Sequence, residues 1–169
     1  MDSSDLELVT DGSTTQQVGL RFTGIDIPQN AVVTNAYIQF QTDETGSAAT
    51  SLLIRGEDTD DAAAFANVKN NLSSRATTDA SAAWAPGAWN TVGQAGFNQR
   101  TSDLSDIVEE IVSRAGWDAG NDMAFVFTGS GKRTAEAFES GAATAPLLHI
   151  EYTVPDQSPL TSLSDFHFL

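Results

Sequence analysis

Apolar and polar residues alternate at a period of two in several stretches of this chain, the pattern of half-buried strands. Val18, Leu20 and Phe22 share one face, with Gln17, Gly19 and Arg21 on the other. Ala36, Ile38 and Phe40 alternate with Tyr37, Gln39 and Gln41, and Met123, Phe125 and Phe127 form a third set. In a fourth, Leu148, Ile150 and Tyr152 oppose Leu147, His149 and Glu151. Shorter strands are predicted at residues 6–9, 52–55, 88–92 and 134–138. Turns are predicted at Thr10-Asp11-Gly12-Ser13 and Asp43-Glu44-Thr45-Gly46. Many short strands without βα alternation predict an all-β fold, an antiparallel sandwich rather than a parallel sheet.

One segment carries the other period. Leu104, Ile107, Val108, Ile111 and Val112 recur at the spacing of one helical face, which predicts a short amphipathic helix over about residues 103–114. Ser102 or Asp103 suits its cap, Asp103 and Asp106 the positive end of its dipole, and Arg114 then Gly116 its close. Such a helix would lie across the sandwich and close one end of the core. From about residue 59 to 83 the chain is rich in Ala, Asn, Ser and Thr and loses periodicity. That predicts a long excursion with one helical turn near 62–65, and long ordered loops on rigid scaffolds often carry function. Residues 1–155 are expected to form the β-sandwich domain, and 156–169 a C-terminal tail. The tail's Leu160, Leu163, Phe166 and Phe168 either dock on the domain or a neighbouring molecule, or fray.

Composition narrows the function. A chain of 169 residues suits one domain with a sizeable core. It contains no cysteine, which removes disulfides, thiolate metal sites and cysteine nucleophiles together. With 23 acidic against 8 basic residues the net charge is -15, which repels nucleic acid and anionic membranes and disfavours an anionic polysaccharide. No apolar run approaches the roughly 20 residues of a membrane span, so no membrane insertion is expected. Met1 leads into Asp2-Ser3-Ser4-Asp5, the reverse of the basic start of a secretory signal. An exported parent would therefore carry this chain as a mature fragment or an excised domain.

Candidate chemistry is sparse. Gly129-Ser130-Gly131-Lys132-Arg133-Thr134 has a phosphate-loop look, but Val126 stands where the first Gly is needed and Arg133 where Ser or Thr is needed. A β-hairpin turn accounts for it better. Gly56-Glu57-Asp58-Thr59-Asp60-Asp61 crowds four carboxylates, and Asp58, Asp60 and Asp61 are candidate ligands for a structural Ca²⁺. The alternative is a solvated strand end, since the EF-hand spacing is absent. Asp118, Asn121 and Asp122 form a second, weaker candidate. His149 and His167 are the only histidines, and neither belongs to a nucleophile or metal constellation. A catalytic function is not expected.

Trp84-Ala85-Pro86-Gly87-Ala88-Trp89 is the most distinctive motif. A Pro-Gly turn holds two large flat side chains near one another. Either both plug the core, with their N–H groups satisfied, or Trp84 and Trp89 form a platform on which sugar rings stack. In the second case Asn90, Gln94, Asn98, Gln99 and Arg100 are placed to hydrogen-bond sugar hydroxyls, with Asn90 and Arg100 as the main polar guides. Trp117, directly after Gly116, reads as a core plug.

The order of landmarks resembles a known family. Val18-Gly19-Leu20-Arg21-Phe22, then Ile25-Asp26-Ile27-Pro28 and Ala36-Tyr37-Ile38-Gln39-Phe40, resemble the opening of DNRLRE-type β-sandwich domains. Trp84 and Trp89, the 103–114 helix, Ser130, Arg133 and Glu136, and Ala145-Pro146-Leu147-Leu148-His149-Ile150-Glu151-Tyr152 follow in that family's order. The resemblance covers about residues 15–153. It implies a jelly-roll-like sandwich in exported bacterial proteins, secreted or at the cell surface, often covalently linked to a polysaccharide-degrading catalytic domain. It further implies a strand before the equivalent of 6–9, so one sheet edge here is expected to be open or filled by the tail. Arg133 and Glu136 would be a ligand site or an internal ion pair. The expected function is a non-catalytic carbohydrate-binding module for a neutral polysaccharide. The alternatives are a structural or adhesion spacer of a bacterial surface protein, and a small polysaccharide hydrolase or lyase.

Overall fold

A computed structural model describes residues 5–155 of the chain. β1 (Asp5–Asp11) turns into β2 (Thr14–Thr15), and β3 (Val18–Phe22) follows. β4 (Val32–Gln39) runs on through Phe40 and Gln41 into β5 (Thr42–Glu44), before β6 (Ser51–Gly56) and β7 (Ala82–Trp84). After the helix α1 (Ser105–Val112) come β8 (Met123–Ser130), β9 (Lys132–Glu136) and β10 (Leu147–Thr153). Among the described residues every strand pairing is antiparallel, and the fold is all-β with one short α-helix.

One layer has the order β3-β8-β6-β7. The other is built on the long β4–β5 strand, bordered by β10 along β4 and by β9 along β5, with β1 and then β2 beyond β9. The Glu136 amide donates to the Gln41 carbonyl at 3.0 Å, so pairing passes from β9 to β10 while residues 137–146 loop out. On the other side of β4, the amides of Thr101 and Leu104 donate to the carbonyls of Ile38 (3.1 Å) and Ala36 (2.8 Å). Between the layers, Leu8, Ile38 and Phe40 meet Ile54, Phe125 and Phe127, all fully buried. Each such side chain contributes about 1.5–3 kcal/mol by leaving water.

The predicted helix is present but shorter than 103–114. Its buried face is Ile107, Val108, Ile111 and Val112, as the spacing implies. Asp103 holds the start: its carboxylate accepts the amides of Ser105 (3.0 Å) and Ala36 (3.2 Å), tying the helix to the edge of β4. The polar face ties down loops. Glu109 accepts the Val33 amide at 3.1 Å, and Glu110 accepts those of Asp79 (2.9 Å) and Ala80 (2.8 Å).

Five local expectations are corrected. No strand spans 88–92; Trp89 alone exchanges two hydrogen bonds with Gly46 (2.8 and 2.9 Å), and the strand lies earlier, at β7. Pro86 lacks the N–H a continued ladder would need. Residues 43–44, expected in a turn, belong to β5. The strand expected at 134–138 is β9, shifted toward Lys132. No helical turn forms at 62–65: Arg75 gathers the excursion instead, donating to Ala63 (2.8 Å), Ala64 (3.0 Å) and Glu57 (2.7 Å) and lying 4.5 Å over the Phe65 ring. Finally, β8 and β9 do not pair as a hairpin; the chain crosses from one layer to the other at Gly129–Gly131. A Cβ on Gly129 would sit 2.2 Å from the Ser51 carbonyl and one on Gly131 2.5 Å from that of Ala49. Only glycine lets the backbone pass there. The docking of 156–169 lies outside the described residues.

Candidate functional site

The two tryptophans of the central motif are interior. Trp84 is 6% exposed and Trp89 0%. Phe40 links them, stacked on Trp84 at 5.6 Å and 11°, tilted against Trp89 at 6.4 Å, and edge-on to Phe127 at 6.0 Å. The cluster joins the two layers, and the Trp89 indole N–H is satisfied by the Asn98 carbonyl at 3.1 Å. A ring enclosed in this way has no face to offer a sugar, so the stacking platform of Trp84 and Trp89 is replaced by a core role. Trp117 is buried as expected, its indole donating to the Ile27 carbonyl at 2.9 Å.

The same loop does present a ring to solvent. Phe97 is 83% exposed and opens a short 3-10 turn, Phe97–Gln99. The residues around it are held. Gln39 Nε2 donates to the Gly96 carbonyl at 3.1 Å, and the Gly96 amide donates to Oε1 of fully buried Gln99 at 2.9 Å. On the other side Trp89 fixes Asn98. Gln99, expected among the sugar-facing residues, is therefore internal, whereas Asn90, Gln94 and Asn98 are exposed.

Next to this turn lies a row of planar groups on the outer face of β4 and β10. The Arg100 guanidinium sits 4.5 Å over the Tyr37 ring and donates to Gln39 Oε1 at 2.7 Å. Across the strand pair, Tyr37 stacks on His149 at 4.7 Å and 22°. His149 Nε2 is 2.9 Å from Glu151 Oε1, and Asn35 donates to the same oxygen at 3.3 Å. Those two contacts, His149 first, hold the Glu151 carboxyl below the usual range. The register pairing His149 with Tyr37 places Leu147, His149 and Glu151 on one face, as their alternation predicts.

The acidic cluster lies against a neighbouring cation and a backbone amide. Arg114 Nε donates to Asp60 at 2.6 Å and its Nη1 to Asp58, and Asp61 accepts the Asp122 amide at 2.9 Å. The Asp60 hydrogen bond and both carboxylates raise the Arg114 pKa. Among the described residues, no three His, Asp or Glu side chains are grouped to hold a metal ion. Asp58 and Asp60 thus anchor the end of the helix. Asp122, from the weaker candidate, pairs with Arg21.

Arg133 makes no ion pair with Glu136. It is 2% exposed and donates to the carbonyls of Pro86 (3.0 Å), Gly87 (2.9 Å) and Ala48 (2.9 Å), clamping the Pro-Gly turn between the tryptophans.

No protein-family model, no curated protein and no solved structure matches this chain. Of the residues predicted for a site, Asn90, Gln94 and Asn98 are exposed, and half-buried Arg100 lies over the Tyr37 ring. Phe97 and Tyr37 escaped the sequence reading because a lone Phe between Gly96 and Asn98 carries no periodic signal, and Tyr37 reads as an ordinary outward strand position.

Proposed function

We propose that this chain is a non-catalytic carbohydrate-binding module that recognises a neutral polysaccharide at the Phe97 turn and the adjoining outer face of β4 and β10. The observation that carries this reading is the presentation of Phe97, an apolar ring exposed to water yet fixed at both flanks by hydrogen bonds. Asn90, Gln94 and Arg100 would supply hydroxyl contacts, and Tyr37 would offer its ring edge between Arg100 and His149. The net charge of -15 supports a neutral over an anionic glycan. In the same reading the strands wind as a jelly roll, and the chain is a DNRLRE-type domain of an exported bacterial protein, linked to a catalytic partner domain. The ordered landmarks of the sequence support that assignment.

A structural or adhesion spacer is the second reading, favoured by the enclosure of both central indoles. Affinity electrophoresis of the full chain against neutral and acidic polysaccharides separates the two. Retardation on a neutral glycan, weakened at least about tenfold (about 1.4 kcal/mol) in Phe97→Ala with folding intact, is expected of the binding module. No retardation on any glycan, or retardation indifferent to Phe97→Ala and Tyr37→Ala, leaves the spacer.

A further inference from the structure

Among the described residues, the pairing pattern leaves one strand edge bare. Ala36 and Ile38 turn their carbonyls toward Leu104 and Thr101, so the alternate residues Tyr37 and Gln39 bond across to His149 and Leu147. It follows that the N–H and C=O groups of Leu148 and Ile150 point away from β4, where no described strand lies. Strand β3 is likewise an edge of its own layer. Between these two edges opens a groove of about 680 Å³, whose apolar lining includes Leu6, Leu20, Phe22, Ile25 and Leu148. Leu148 and Ile150 face the core yet are only half-buried, as side chains are when the neighbouring strand is missing. Bare edges of this kind are pairing templates that proteins normally cover.

We propose that the C-terminal segment 156–169 covers this edge, returning along β10 as a further antiparallel strand and laying Phe166 and Phe168 into the groove. Its point of departure fits: β10 ends at Thr153, at the far end of the bare edge, and Pro155-Asp156-Gln157-Ser158-Pro159 is rich in turn formers. Its length fits too. Residues 160–169 span about 33 Å when extended, against about 23 Å for β10. Phe166 and Phe168 are two apart and so share a face, with Asp165 and His167 on the other. A second copy of the chain is the poorer occupant, because each copy carries a charge of -15 and would bring like against like.

Amide hydrogen exchange at Leu148 and Ile150 tests the proposal. Three proteins are compared: the full chain, a chain ending at Pro155, and the full-length double variant Phe166→Asp, Phe168→Asp. Exchange at both amides is expected to be slower in the full chain than in either variant by on the order of 100-fold, independently of protein concentration. If the shortened chain does not fold, the double variant carries the comparison alone. Equal exchange in the full chain and the folded variants overturns the proposal. Protection that disappears on dilution also overturns it, and assigns the groove to a second copy.

Discussion

Arg133 illustrates how a cation can be buried without a carboxylate partner. Burial lowers its pKa from the ordinary value, and a set of backbone carbonyls, with Thr50 Oγ1 at 2.9 Å, takes the place of a counterion. The guanidinium fork reaches several acceptors at once, which a lysine cannot do. Replacing it strands those carbonyls in the interior. Arg133→Met is therefore expected to lower unfolding stability by about 3 kcal/mol or more, measured by denaturant titration. Trp89→Ala belongs to the same class, with a loss of about 3–5 kcal/mol from the cavity it leaves. Phe97→Ala, a change at the surface, should cost under about 0.5 kcal/mol. That contrast separates a core ring from a presented one by stability alone.

Among the elements, the helix start carries the clearest pH signature. Burial pushes the Asp103 carboxyl up, but its hydrogen bonds from Ser105, Ala36 and Leu104 outweigh this and leave its pKa below the ordinary 3.8. A carboxyl depressed on folding adds stability that is present above the unfolded value and lost as pH falls through the folded one. Asp103→Asn should thus be less stable than the parent at neutral pH, and the gap should narrow below about pH 4, followed by urea unfolding at several pH values. Strands such as β3, β8 and β10, and the apolar face of α1, were legible because large apolar residues recur on their core-facing side, although β8 also buries Ala124 and Val126 on its other face. β5 and β7 were not, since three residues show no period and Pro86 obscures the strand before it. The role of Asp58 and Asp60 was hidden for a different reason. Their partner Arg114 lies far along the chain, and no spacing rule links a carboxylate cluster to it.

At the scale of the molecule, an excess of acid shapes stability and, in the proposed function, recognition as well. Burial, and then the charges of Asp5, Glu136, Glu44 and Glu7, raise the pKa of Asp43. A carboxyl raised on folding takes up a proton more readily in the folded state, so its contribution improves as pH falls through that raised value. Asp43→Asn is expected to increase the melting temperature at neutral pH and to reduce the stabilising effect of added salt, which screens the same repulsion. Recognition of a neutral glycan should be insensitive to salt, since no counterions are released. The site was the least legible part of the sequence. Two tryptophans flanking a Pro-Gly turn signal aromatic importance without saying whether the rings face in or out, and only the packing of Phe40 between them decides it.

Chemical-shift mapping of the isotopically labelled full chain during titration with neutral oligosaccharides is the direct test of glycan binding at the Phe97 turn. Saturable shifts are expected at Gly96–Arg100, Asn90, Tyr37 and His149, with the indole N–H signals of Trp84 and Trp117 unmoved. Shifts confined to another face, or none with any neutral oligosaccharide, would contradict binding at that turn.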